Sequence, residues 1–222
     1  MLGPIAIVPS APVLVPELAG VATEAAELRT AVLAAVAALP QRWVAFGTGA
    51  DAVYGPDSVG TFAGFGADVA VQLSRDAHRP VDLPLCALVA GWMRGQARLD
   101  AEVVVHAHAD PDVAFAAGRR VRAEIDLAPE PIGVLVVADG ANTLTAAAPG
   151  GHRPADVEAQ RALDDALGGG DVGALTGLPA SIIGRAGFAA LAGLAGGSPR
   201  SATQLYRDAP YGVGYFVGVW QP

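Results

Sequence analysis

The stretch Ile132-Gly133-Val134-Leu135-Val136-Val137-Ala138, followed at once by Asp139-Gly140-Ala141-Asn142, decides how this chain is read. Seven uncharged residues rich in β-branched side chains, closed by turn formers, read as a short strand covered on both faces. Working outward, Ile5-Ala6-Ile7-Val8, Trp43-Val44-Ala45-Phe46 and Glu102-Val103-Val104-Val105-His106 have the same character, and residues 212–220 read as a terminal strand. Helical spacing fills the intervals. Residues 23–39 carry Leu28, Val32, Leu33 and Val36, with Thr23 as cap, Glu24 and Glu27 in the first turn and Pro40 as the stop. Residues 81–93, 113–125, 156–167 and 187–195 read as further helices, and the glycine-punctuated residues 54–66 as an excursion. Strands alternating with helices predict an α/β fold, a central, mostly buried sheet flanked by helices on both faces. No repeat, linker or composition break divides residues 1–222, so a single domain is expected.

Composition narrows the function. Of 222 residues, 52% are hydrophobic and 16% charged, against roughly 25% charged in typical domains, which points to a large core or an interface between identical copies. Net charge is −8, and all 14 basic residues are Arg. An acidic chain without a basic patch makes nucleic acid and anionic membranes poor partners. The cluster Arg119-Arg120-Val121-Arg122 sits on a predicted helix with Glu124 and Asp126 and reads as a solvated, paired face. The single cysteine, Cys86, lies in an apolar run, so an internal disulfide and four-cysteine zinc sites are excluded. The opening residues lack a basic leader and are broken by prolines, and no long apolar stretch suggests a span. A cytoplasmic location is the default expectation.

Three segments together resemble the class III extradiol dioxygenase (LigB/MEMO-like) superfamily. Residues 8–17, with Ser10, Pro12 and Pro16, resemble its opening strand and loop. The turn Ala138-Asp139-Gly140-Ala141-Asn142, with the helix after it and Gly170-Asp171, resembles its Gly-Asp-x-Ser-His turn. Tyr206-Arg207-Asp208-Ala209-Pro210-Tyr211-Gly212-Val213-Gly214-Tyr215 is similar to its terminal strand. The resemblance implies the family's sheet-and-helix fold, often assembled into dimers or larger oligomers. In active members it implies a non-haem Fe(II) held by two His and a carboxylate, with a further His for acid–base chemistry. MEMO-like members have a Cys in place of the carboxylate. Carried onto this chain, those positions fall at Ser10, near Gly49, at Asn142, and at or beside Ala186. A hydroxyl, two positions without a donor side chain and a carboxamide neither grip iron nor shuttle a proton near neutral pH. Of the motif only Asp139 persists. The resemblance therefore implies a binding or assembly domain without ring-cleaving activity and without a metal.

Other constellations compete. His106-Ala107-His108-Ala109-Asp110 places two imidazoles and a carboxylate on alternate residues, so an extended strand points them to one face. It resembles the His-x-His-x-Asp-His motif of the metallo-β-lactamase fold, but Pro111 stands in place of the last His and only His152 follows. This is the alternative site, for iron or zinc, in a dioxygenase-type oxidoreductase or a hydrolase. Gly47-Thr48-Gly49 follows a strand without the Lys-Ser/Thr of a phosphate loop, and no Ser lies in Gly-x-Ser-x-Gly. The opening loop and the turn after the fourth strand should meet at the strand ends, where open α/β sheets place ligands. Ser10, Thr48, Gly49, Asp139, Asn142 and Arg185 are accordingly the predicted lining of a polar pocket for a small anionic or hydroxylated molecule. Asp139 and Asn142 are also residue types that cap turns.

Overall fold

The run that opened the reading becomes β8 (Ile132–Val137), every residue of it buried. The computed structural model describes residues 1–20, 24–97 and 100–222. A seven-stranded sheet runs in the order β3-β7-β2-β8-β1-β10-β9. Its four central strands are parallel: β7 (Glu102–His108), β2 (Arg42–Thr48), β8 and β1 (Leu2–Val8). The edges are antiparallel. β3 (Ala52–Tyr54) borders β7, and β10 (Tyr215–Gln221) pairs with β1 and with β9 (Ser201–Asp208).

Period-two alternation sends the two halves of each strand into two cores. Ala6, Val8, Ala45, Val105, Leu135 and Val137 belong to one face, beneath α2 (Glu24–Val36) and α3 (Leu85–Gln96). Ile5, Ile7, Phe46, Val134 and Val136 belong to the other, beneath α4 (Pro111–Leu127), α5 (Pro154–Gly169) and α6 (Arg185–Ala195). The mixed α/β class expected from the sequence, with a central sheet covered on both faces, is what the chain adopts. The carboxyl ends of β7, β2, β8 and β1 share one edge, and the chain leaving them departs to opposite faces. That is the geometry of a switch point, where a crevice opens between loops.

Several boundaries differ from the sequence reading. Residues 81–84 are not helical, because Pro84 takes an extended conformation (ψ 160°) and caps α3. Thr23, read as the cap of α2, lies outside the described residues. The excursion after β2 builds a second, three-stranded sheet in which β4 (Ser58–Thr61) lies between β5 (Ala70–Gln72) and β6 (Arg79–Pro80). The segment read as the approach to one terminal strand is a hairpin, β9 turning at residues 209–214 into β10. A four-residue helix, α1 (Pro16–Ala19), ends the proline-rich opening loop.

Candidate functional site

Asp139 follows β8 by two residues and is 9% exposed. The backbone around it is tied to several elements. Ala138 N–H donates to Val8 O (2.9 Å), Gly184 N–H to Asp139 O (2.9 Å), and Ile183 N–H to Gly140 O (3.2 Å). Gly140 N–H donates to Gly214 O and Gly214 N–H to Ala141 O, at 2.9 and 2.8 Å. The turn is thereby bound to β1, to the start of α6 and to the start of β10.

Its side chain is less well served. Ser10 N–H donates to Asp139 Oδ1 at 2.8 Å, and among the described residues no second donor reaches the carboxyl group. Burial pushes the Asp139 pKa up to about 7, against a small opposing effect of the Ser10 N–H. Tyr215, 6% exposed at the first position of β10, stands close enough for the Asp139 charge to add to burial in raising its phenol pKa. The N-terminus of α6 abuts the same turn, with no acidic residue in its first turn and Arg185 as its first residue. Among the described residues Arg185 has no carboxylate partner. The partial positive charge of a helix start favours a negative or electron-rich group here. Thr48 Oγ1 reaches Ile183 O at 3.4 Å, linking the end of β2 to the approach of α6.

Of the predicted lining, the structure thus brings Ser10, Asp139, Thr48 and the start of α6 together. Asn142 goes elsewhere. Its carbonyl accepts from Gly150 N–H (2.9 Å), and its side-chain oxygen lies where a Cβ on Gly150 would touch it. It organises the loop to α5. Gly49 belongs to the neighbouring strand end, its N–H donating to His108 O at 3.2 Å.

A buried polar network supports the turn. Gln160 Oε1 accepts from Ala141 N–H (2.7 Å), and Gln160 Nε2 donates to Asp164 Oδ1 (2.7 Å). Asp164 in turn pairs with Arg207 Nε at 3.1 Å. Gly140 and Gly214 press on this amide so closely that a Cβ on either would fall 2.0–2.2 Å from Gln160 Oε1. Neither Gln160 nor Tyr215 was singled out from the sequence. The Tyr215 signal was its place at the amino end of a strand antiparallel to β1, visible only once the hairpin is known. Gln160 had none.

The second constellation sits one strand away. His106 and His108 are 8% and 7% exposed and point to the same face of β7, their ring centroids 6.4 Å apart, with Phe46 stacked on His106 at 5.3 Å. His106 Nδ1 and His108 Nε2 are buried without a hydrogen-bond partner. His108 Nδ1 faces Asp51 Oδ1 at 3.4 Å, and that oxygen also accepts from Ala109 N–H. Burial first, then His108 and Arg120, lowers the His106 pKa to about 4. Asp110 does not join the imidazoles, because its carboxylate caps α4, accepting from Asp112 and Val113 N–H at 2.8 and 3.1 Å. Asp51, in the turn that β3 folds back against β7, is the carboxylate that does. His152 is exposed on the loop before α5. Among the described residues, no three His, Cys, Asp or Glu side chains are grouped to hold a metal ion.

Two further features bound the site. Cys86 is fully buried, and burial pushes its thiol up to about 12, so it is a structural residue. Among the described residues no helix is long and apolar enough to cross a membrane.

No protein-family model matches this chain, and no curated protein matches it in sequence. Among solved structures, it is similar to the crystal structure of the uncharacterized protein JW3007 from Escherichia coli K12, at 15% identity and a TM-score of 0.52, with 99% of this chain and 100% of that one covered. At that identity the likeness is one of fold, extending over the whole of both chains.

Proposed function

We propose that this chain is a small-molecule-binding domain on an extradiol-dioxygenase-like (LigB-like) scaffold, and that its crevice recognises a hydroxylated or anionic ligand without cleaving an aromatic ring. The observation that carries the reading is Asp139, a buried carboxyl group at the strand-end switch point with one backbone donor. A carboxyl whose pKa burial lifts to about 7 is partly protonated at neutral pH, so it both donates to and accepts from a ligand hydroxyl. The α6 N-terminus, with Arg185 as its first residue, supplies the complement for a negative group.

The iron that the resemblance implies does not fit the residues present. Ser10 supplies its backbone N–H to Asp139, Gly49 has no side chain, Asn142 faces the Gly150 turn, and Ala186 is buried inside α6. None is a ligand for Fe(II), and no catalytic step is assigned. Self-association belongs to the same proposal, on the strength of the low charged fraction.

Thermal unfolding with catechol and 3,4-dihydroxybenzoate at pH 6 and pH 8 tests the reading. A saturable stabilisation that disappears in Asp139→Asn is expected, with no ring-opened product when Fe(II) and air are supplied. Stabilisation that survives Asp139→Asn unchanged removes the site from Asp139, and ring opening removes the non-cleaving assignment.

A second reading rests on the two unpartnered ring nitrogens. An Asp51 carboxylate holding His108 Nδ1–H leaves Nε2 as the free electron pair, the second-sphere arrangement of many metal-binding histidines. Zinc or iron would then be held by His106 and His108 in a metal-dependent oxidoreductase or hydrolase. Elemental analysis of protein purified without chelators decides it: one equivalent of metal, lost in His106→Ala, supports this reading, and metal-free protein rejects it.

A further inference from the structure

Away from both constellations, the last turn of α3 holds a charge with no ion-pair partner among the described residues. Arg94, in its last turn, is 9% exposed. Its Nε donates to Ala101 O at 2.6 Å, and among the described residues no carboxylate forms an ion pair with it. Asp100 acts on it only through space, and is itself 60% exposed and paired with Arg75 at 3.5 Å. The terminal nitrogens of Arg94 have no hydrogen-bond partner among the described residues, and a mostly covered guanidinium without a counter-charge is a place where a bound anion gains.

Room for one exists. Arg94 lines an open cleft of about 520 Å³ bordered by α3, β5, β4 and the start of α1, a volume inside the roughly 300–1,000 Å³ range of small-molecule sites. Val59, Val69 and Val71 supply an apolar wall, Gln72 and Gln96 neutral hydrogen-bonding groups, and Trp92 an aromatic lining residue. With Nε tied back to Ala101, the terminal nitrogens of Arg94 remain as a forked pair of donors matching two oxygens of a planar or tetrahedral anion. Glu17, exposed on α1, is the one carboxylate among the described lining residues.

We propose that this cleft is a second binding site, for a small organic oxyanion: a carboxylate or phosphate monoester whose head is held by Arg94 and whose compact apolar body lies against the valines. The negative charge of Glu17 opposes anion binding there.

The full chain is titrated by calorimetry, and in parallel by tryptophan fluorescence, with inorganic phosphate, benzoate and phenyl phosphate. Saturable binding of benzoate or phenyl phosphate is expected, at least about tenfold tighter than inorganic phosphate because the apolar wall contributes, and whichever of the two binds identifies the head group. Arg94→Met weakens it by about tenfold or more, and Glu17→Gln strengthens it by about two- to fivefold. Absence of saturable binding for all three probes overturns the proposal, as does unchanged affinity in a folded Arg94→Met protein. Should Arg94→Met fail to fold, Glu17→Gln and Glu17→Arg decide: affinity rising along that series upholds the site, and affinity indifferent to both overturns it.

Discussion

Two buried carboxyl groups lie on either side of the turn after β8, and they are served very differently. Asp164, 6% exposed on α5, receives the Gln160 amide at 2.7 Å and the Arg207 guanidinium at 3.1 Å. Burial still pushes its pKa up to about 6, with Gln160 and Arg207 pulling the other way. Asp139 is likewise buried, has one backbone N–H and no cation partner among the described residues, and rises to about 7. A buried carboxylate with its amide and its cation is part of the architecture, since its hydrogen-bonding capacity is spent on neighbouring elements. One left with a single donor keeps capacity for something that is not protein. The comparison teaches where on this sheet edge to look for a ligand.

Asp139→Asn breaks the comparison most sharply. The side chain still accepts from Ser10 N–H but no longer titrates. In the parent chain the unfolded carboxyl ionises near 3.8 and the folded one near 7. Between those values the folded state holds the extra proton, so stability falls as pH rises through the window and levels off above it. At about 1.36 kcal/mol per pH unit, the Asp139 contribution is at most about 4 kcal/mol between pH 4 and pH 8. Denaturant midpoints across that range, parent minus variant, should show this decline and flatten above pH 7. Asp164 contributes in the same direction between 3.8 and about 6, and the subtraction removes it.

Asp164→Ala probes the other member. It leaves the buried Gln160 amide without its acceptor, while Arg207 stays partly hydrated and keeps Asp165 at 2.7 Å, so a loss of about 2 kcal/mol is expected in urea unfolding. Because Gln160 also holds Ala141 N–H, this variant should weaken ligand binding at Asp139 as well. A stability loss with undiminished binding would show that the two carboxyl groups are independent. Thr48→Val is the smallest change. The hydroxyl contact to Ile183 O is long and exposed, so less than about 0.5 kcal/mol in stability is expected, and a measurable effect on ligand affinity alone would identify the hydroxyl as a contact.

Much of this was written in the sequence, because burial on both faces leaves a plain mark. The apolar runs at Ile5, Trp43, Val103 and Ile132 became the four parallel strands at the sheet centre. β9 escaped because it is an exposed edge strand of mixed polar and apolar residues, whose order comes from pairing with β10 rather than from its own pattern. At the site, Ser10, Thr48 and Asp139 could be placed together from chain order and the habit of α/β sheets. Asp110 could not be told from Asp51, because alternation along a strand ignores the competing demand of a helix N-terminus for a cap. Tyr215, Gln160 and Arg94 act through long-range packing and carry no local signature.

On the proposed reading the Asp139 carboxyl group, buried and partly protonated at neutral pH, is the group that meets the ligand. Carbon-13 NMR of aspartate-labelled protein, with the Asp139 resonance assigned by its absence in Asp139→Asn, reads that group directly. The account gives a titration midpoint near 7 that moves when a hydroxylated ligand is added. A midpoint near 3.8, indifferent to ligand, contradicts it.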